Sequence, residues 1–167
     1  MDKDYICKIP TYEEMNIKWN HEIEHHKEDK YNWMIWKTQN IENYKKGYII
    51  PYYGILAGKI ICEATAMTHS NIVQNSFLLV DEKTVYLSAF RTIKEYQGKG
   101  YFSELIKYML KDLKEKGFTK ATLGIEPHEK RNKAIYQHFG FDEYIKRGTE
   151  KYPDGTKIEV EYYAKKL

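Results

Sequence analysis

Residues 85–105, VYLSAFRTIKEYQGKGYFSEL, place Gln97-Gly98-Lys99-Gly100 between a strand-like run and an amphipathic one. Glycines at a strand-to-helix junction allow a tight turn and let a ligand approach the main chain without meeting a Cβ. The unpaired N–H groups of the first helical turn then face that ligand, and the helix dipole favours negative charge there. Such a junction offers phosphate binding; an ordinary strand-to-helix turn with a spare glycine is the plain alternative. It is not a P-loop, because Lys99 is followed by Gly100 rather than Ser or Thr. It is a poor dinucleotide fingerprint too, since Ser103 occupies the third glycine position.

A second pattern offers different chemistry. His21-Glu22-Ile23-Glu24-His25 matches H-E-x-x-H, which on a helix sets two imidazoles on one face for zinc and a Glu to activate the bound water. A zinc hydrolase is the function this would imply. Against it, the surrounding KWNHEIEHHKEDK is charged on all sides, whereas a zinc-hydrolase helix lies buried, and His26 is adjacent rather than one turn on. A third ligand from His69, His128 or His138 requires an arrangement that spacing does not supply. A solvated helix face explains the motif more simply, and no metal is expected.

The elements that must position these residues follow from periodicity and punctuation. Residues 5–9 form a short strand stopped by Pro10, and Thr11 caps a helix with Glu13 and Glu14 in its first turn. Helical character continues to about Lys46, broken near residues 27–30. Residues 48–66 are rich in Ile, Tyr and Gly and predict two strands joined near Tyr53-Gly54. Residues 72–80 and 85–92 predict a further hairpin around Asp81-Glu82-Lys83. Leu105, Ile106, Met109, Leu110 and Leu113 mark the apolar face of a helix ending at Gly117. Residues 119–126 predict a buried strand and 128–139 a shorter helix. A closing hairpin runs from 141–152 through Pro153-Asp154-Gly155 to 157–165, with Ile158, Val160, Tyr162 and Ala164 on one face. The order is β-α-α-β-β-β-β-α-β-α-β-β, an α+β fold with a mixed sheet.

Composition narrows the setting. The 167 residues read as one domain, 1–167, with neither repeat nor linker. Charged residues make up 31% and aromatics 15%, which is globular rather than disordered. Lys+Arg 27 against Asp+Glu 24 leaves a net charge of +3, too little to argue for nucleic acid. Mean hydropathy is −0.72, and the longest uncharged stretch, 64–80, is too rich in Thr, Ser, Asn and Gln to span a membrane. The charged amino terminus predicts no signal peptide, and two cysteines, Cys7 and Cys62, make no disulfide framework. A cytoplasmic protein is expected.

The segment 125–141, IEPHEKRNKAIYQHFGF, completes a pattern with the glycine turn. Gln97, Gly100, Asn132, Tyr136 and Gly140-Phe141 occur in that order. The pair of segments resembles the GCN5-related N-acetyltransferase (GNAT) superfamily, in which a Gln/Arg-x-x-Gly-x-Gly/Ala turn binds the pyrophosphate of acetyl-coenzyme A. The likeness covers residues 80–165 well and the first 80 by order of elements, and it looks like a bacterial branch. Two departures stand out. Phe102 occupies a position where the family usually has Gly or Ala, and Asn132 lies four residues before Tyr136 where many members carry Asn seven before, at Glu129 here.

The resemblance implies a GNAT fold: a mostly antiparallel sheet, flanked by about four helices, with a V-shaped splay between two parallel central strands. It implies acetyl transfer from acetyl-coenzyme A to a primary amine of a small molecule or peptide, by direct attack in a ternary complex. The backbone of Ala89, Phe90 and Arg91 would pair with the pantetheine amides, as an added strand does. The N–H groups of Gln97, Gly98, Lys99, Gly100, Tyr101 and Phe102 would hold the pyrophosphate, with Asn132 facing the cofactor. Tyr136 would protonate the departing thiolate, and its alternative is a core aromatic. Glu126 is the best-placed carboxylate for a general base, with Gly124 standing where some relatives keep theirs. An inactive coenzyme A-binding domain is the other outcome of this resemblance. Trp33, Trp36, Tyr52 and Tyr53 would lie at the acceptor wall, and a homodimer is left open.

Overall fold

A computed structural model describes residues 1–167. In chain order the elements are β1 (Tyr5–Lys8), α1 (Tyr12–His25), α2 (Lys30–Lys45), β2 (Ile49–Leu56), β3 (Lys59–Met67), β4 (Thr84–Thr92), α3 (Tyr101–Glu115), β5 (Lys120–Ile125), α4 (Lys130–His138), β6 (Glu143–Lys151) and β7 (Lys157–Lys166). The strands form one seven-stranded sheet in the order β1-β2-β3-β4-β5-β7-β6. All neighbours are antiparallel except β4 and β5, which run parallel. The α+β architecture expected of a GNAT fold is present.

Local chemistry sets the helices. Thr11 forms a capping box: its Oγ1 accepts from the Glu14 N–H at 3.2 Å while Glu14 accepts from the Thr11 N–H at 2.7 Å. On α3, Leu105, Ile106, Met109 and Leu113 are fully buried against Tyr52, Ile61, Ala64, Leu87 and Leu123 of the sheet. Successive strand residues point to opposite faces. Tyr53 accordingly packs with Met15 of α1 and Ile41 of α2 on the other side. The rest of that second face is covered by residues 68–83, whose Val73 and Leu79 pack on Tyr86, Val160 and Tyr162.

Three expectations need correction. The β2–β3 turn falls at Ala57-Gly58, both with positive φ (48° and 82°), not at Tyr53-Gly54. Gly54 lies within β2, where a Cβ would strike the Tyr5 hydroxyl, which donates to the Tyr101 carbonyl at 2.8 Å. Residues 72–80 form no strand, so the element order has one strand fewer. Asn75 and Leu78 take left-handed φ (55° and 69°), two interruptions within four residues that leave no run of extended backbone for a ladder. The segment instead meets the edge of β6 with side chains. Gln74 bonds both the N–H and the carbonyl of Lys151, at 2.8 and 3.0 Å, and the Asn75 amide donates to the Thr149 carbonyl. Finally, Tyr52 and Tyr53 form no acceptor wall. Both are buried core, and the Tyr52 hydroxyl donates to Asp112 at 2.6 Å.

Helix α1 is fixed to the sheet by charge. Lys18 pairs with Glu63 of β3, both more than nine-tenths buried, and Arg91 of β4 stands 3.8 Å from the second Glu63 oxygen. Removing one partner from a buried pair leaves the other unsolvated, which costs about 3–5 kcal/mol, whereas replacing both can be neutral. Lys18→Met should therefore lower the unfolding free energy in urea by about that amount. Adding Glu63→Leu should recover most of the loss. A Lys18→Met protein as stable as the wild type would show that Arg91 alone compensates Glu63.

Candidate active site

The site begins where two strands part. Strands β4 and β5 pair from Thr84–Lys120 to Leu87–Leu123 and no further. Ala89 then takes φ 55°, and the β3 partner changes from Thr65–Ser88 to Glu63–Arg91, so Ala64 faces two residues of β4. This is a β-bulge, which bends its strand and re-aims side chains. Strand β5 stays with β7, through Gly124–Tyr162 and Ile125–Glu161. Beyond Leu87 the inner edge of β4 has no strand beside it, leaving backbone groups able to pair with an extended ligand bearing amides.

The strand leads into the glycine turn. Gly98 and Gly100 have φ of 72° and 87°, a conformation that favours glycine. The Gln97 side-chain amide donates to the Thr92 carbonyl at 3.0 Å and closes the turn. The Gln97 N–H, expected among the pyrophosphate donors, is instead taken by the Lys94 carbonyl at 3.2 Å, whereas no acceptor within the protein takes the N–H of any residue from Gly98 to Ser103. A row of free donors at the start of a 15-residue helix fits an anion such as pyrophosphate.

Turn, strand edge and α4 together enclose a cavity of about 770 Å³. Of the residues singled out in the sequence, Phe90, Arg91, Gln97, Gly98, Gly100, Tyr101, Phe102, Asn132 and Tyr136 line it. Ala89, Lys99 and Glu126 do not. Ala89 acts as the bulge, and Lys99 contributes only its free N–H. The Glu126 carboxylate instead clusters with His128 and Glu129, their ligand atoms within 4.8 Å of one another, close enough to share a cation. Sequence reasoning missed Glu129 and Tyr152 on the cavity wall. The spacing of Glu129, Asn132 and Tyr136 along one helical face was a usable signal for the first; Tyr152, at the end of β6, had none.

Tyr136 combines its two sequence readings. Its ring lies 5.1 Å from Phe90 and 6.4 Å from Phe102, while Phe102 in turn meets Phe139 at 6.3 Å. Phe102 thus belongs to an aromatic cluster. The Tyr136 hydroxyl has no hydrogen-bond partner in the protein, and its residue faces the cavity. Burial first, then the charge of Glu129, pushes its pKa above that of a free phenol. Both effects favour the protonated phenol.

The opposite face explains the histidine motif. His21 and His25 are exposed and stacked at 4.0 Å, and His25 Nδ1 lies 2.8 Å from the His21 carbonyl. Glu22, the residue that would activate a zinc-bound water, lies 3.4 Å from Arg91 and 3.2 Å from His26. His26 stacks on Trp33 at 4.3 Å, and the Arg91 guanidinium sits 4.3 Å from a Trp33 ring. His21, Glu22, His25, His26 and Arg91 border a second cavity of about 1000 Å³ that shares Arg91, Thr92 and Gln97 with the first. Trp33 is therefore a stacking surface in the interior, whereas Trp36 meets Tyr152 edge-on at 5.3 Å. Beside that contact, Asn32 and Asp154 exchange two hydrogen bonds of 3.0 Å, joining α2 to the β6–β7 turn.

The structure is similar to a probable acetyltransferase from Staphylococcus epidermidis, at 11% identity over 98% of this chain and 99% of that one, with a TM-score of 0.73. It is similar to the ribosomal-protein-alanine N-acetyltransferase of Brucella melitensis, at 15% identity over 97% and 99% of the two chains, TM-score 0.68. It is also similar to RimL, a ribosomal L7/L12 α-N-protein acetyltransferase solved with coenzyme A, at 11% identity over 99% and 96%, TM-score 0.70. At these identities the likeness is one of fold. No curated protein sequence matches the chain. The sequence model of the GNAT acetyltransferase family, however, matches residues 10–141, which include the bulged strand, the glycine turn and Tyr136. With every residue lining the cavity except Tyr152 inside that match, the chain belongs to the GNAT family of acetyltransferases.

Proposed function

We propose that this acetyltransferase binds acetyl-coenzyme A in the β4–β5 splay and transfers its acetyl group to a primary amine. One coincidence carries the assignment: free backbone donors, an unpaired strand edge and an unpartnered phenol all face a single cavity. The N–H groups from Gly98 to Ser103 hold the pyrophosphate. The inner edge of Ala89, Phe90 and Arg91 pairs with the pantetheine amides, directing the thioester towards the apex of the V. Asn132 lies along the cofactor from α4. The acceptor approaches from the other face, beneath the Trp36–Tyr152 contact. A protein amino terminus and a small amine both carry the required nucleophile.

Within this arrangement the amine attacks the thioester directly. The thiolate leaves as it takes the Tyr136 proton: the raised pKa keeps the phenol protonated beforehand, and the far more acidic protonated amide nitrogen resupplies the proton that Tyr136 gives up. The free hydroxyl favours this role over mere coenzyme A binding.

Acetyl-coenzyme A and desulfo-coenzyme A should each raise the melting temperature by mass action. Gly100→Val should abolish that increment while costing about 1–3 kcal/mol in backbone strain. Increments are read against each variant's own unliganded melting temperature. Equal increments in variant and wild type would sink the assignment of the turn.

Thiol release with tyramine, spermidine and a peptide with a free amino terminus should reveal the acceptor class. Tyr136→Phe keeps the ring packing and loses only the donor, so stability should hold while turnover falls about 10²-fold or more. Cofactor affinity should change less, because the donor matters most as the thiolate departs. Unchanged turnover in Tyr136→Phe would reduce the residue to a packing role.

A further inference from the structure

Strand β5 offers no carboxylate at the apex of the splay. Gly124 follows Leu123, the last residue of β5 paired with β4, and faces away from α3. A Cβ built on Gly124 would lie 2.6 Å from Val160, 2.8 Å from the Tyr86 hydroxyl and 3.2 Å from the Tyr162 ring. The space a longer side chain would use is thus filled from β4 and β7. Both tyrosine hydroxyls lead to one carboxylate on β6: Tyr162 donates to Glu150 Oε2 at 3.0 Å, and Tyr86 reaches the same oxygen at 3.5 Å.

Resting on the acetyl-transfer reading, we propose that Glu150, oriented by Tyr86 and Tyr162, accepts the proton of the acceptor ammonium. The hydrogen bonds fix its direction. Asn75 donates its amide to the Tyr162 oxygen at 3.0 Å, so the single tyrosine proton is committed to Glu150. With Oε2 taking both tyrosines, Oε1 has no protein partner. Glu150 is half-buried, whereas Tyr86 and Tyr162 are buried. The carboxylate therefore keeps one oxygen free on the Tyr86–Tyr162 side of the sheet, opposite the face on which Phe90, Phe102 and Tyr136 pack, and in the proposed arrangement the thioester lies between base and acid.

The proton inventory closes. Glu150 Oε1 takes one proton from the ammonium, and the freed lone pair forms the N–C bond. The C–S bond breaks, and the thiolate leaves with the Tyr136 proton. The amide nitrogen sheds a second proton that restores Tyr136, and the proton on Glu150 passes to water. The titratable and charged groups around Glu150 are Tyr86 from β4, Glu126 after β5, Tyr152 beyond β6 and Tyr162 from β7, with Lys146 beside the Tyr162 ring. Burial raises the Glu150 pKa, the two hydroxyls oppose that shift, and the Glu126 charge adds to it. Raised basicity suits a proton acceptor, at the cost of losing the ionised form as pH falls through the raised value.

The test compares tyramine, an ammonium at neutral pH, with aniline, whose nitrogen is already neutral. Glu150→Gln preserves an acceptor for both tyrosines. It should lower kcat/KM for tyramine about 10²-fold or more at pH 7, while keeping the acetyl-coenzyme A thermal increment. The deficit should shrink as pH approaches the amine pKa and be small with aniline throughout. Glu150→Asp should recover part of the lost activity, and Glu126→Gln should cost far less. Wild-type kcat/KM in Glu150→Gln, or a deficit equal for both amines at every pH, would overturn the proposal. Failure of acetyl-coenzyme A to stabilise even the wild type would instead overturn the acetyl-transfer reading beneath it.

Discussion

Everything at the site depends on β4 and β5 staying apart after Leu87 and Leu123. Unpaired strand edges invite pairing, so a parallel pair that opens within its own sheet has to be held open. The Ala89 bulge begins the separation by bending β4. The two residues beyond it then anchor the strand on opposite faces. Phe90 enters the Phe102–Tyr136 cluster, while Arg91 is gripped by Trp33, His26 and Glu22. Strand β5 is retained by β7 through Ile125–Glu161. Closing the V would require breaking one of these anchorages.

That opening divides labour between the faces of the sheet. The α3 and α4 side carries the free N–H row and the Tyr136 hydroxyl, which suit an anionic, thiol-bearing donor. The α1 and α2 side carries the charged groups and the Trp36–Tyr152 contact. Arg91 borders both cavities together with Thr92 and Gln97, so the two share a wall at the end of β4. The backbone of Arg91 belongs to the strand edge left unpaired after Leu87, and its side chain belongs to the network that holds α1 and α2.

How much of this could be read beforehand differs by kind of interaction. Gly98 and Gly100 were legible because a backbone need, positive φ before a helix, selects one residue type. That Tyr136 lines the cavity was legible through its neighbours in the motif, and the α3 face through helical spacing. Residues 72–80 misled because Val, Leu and Phe there suggest a strand, while the decisive bonds come from the Gln74 and Asn75 side chains to a strand about seventy residues away. The Tyr53-Gly54 turn misled likewise: Gly54 answers to the Tyr5 ring rather than to a bend. Glu150 had no local signal. Its environment is assembled from β4, β7 and the Asn75 loop, and no spacing along one segment encodes such a meeting.

The buried charges are a less obvious support of the same geometry. Glu63 lies in the interior with Lys18 on one oxygen, while its Oε1 lacks a hydrogen bond and faces Arg91 at 3.8 Å. Burial pushes its pKa up against the pull of Lys18 and then Arg91. A purely apolar contact between α1 and β3 would hold the helix as firmly, since desolvation consumes most of what such a pair returns. What an apolar contact would not do is direct Arg91. Glu63 opposes Arg91 in the β3–β4 register just past the bulge, where the strand could twist either way. Glu63 near its Nε, Glu22 near a terminal nitrogen and the Trp33 ring beside the guanidinium give that side chain one direction and the adjoining backbone edge one orientation. The cost of burying Glu63 is thereby tied to the aim of the strand edge that faces the splay.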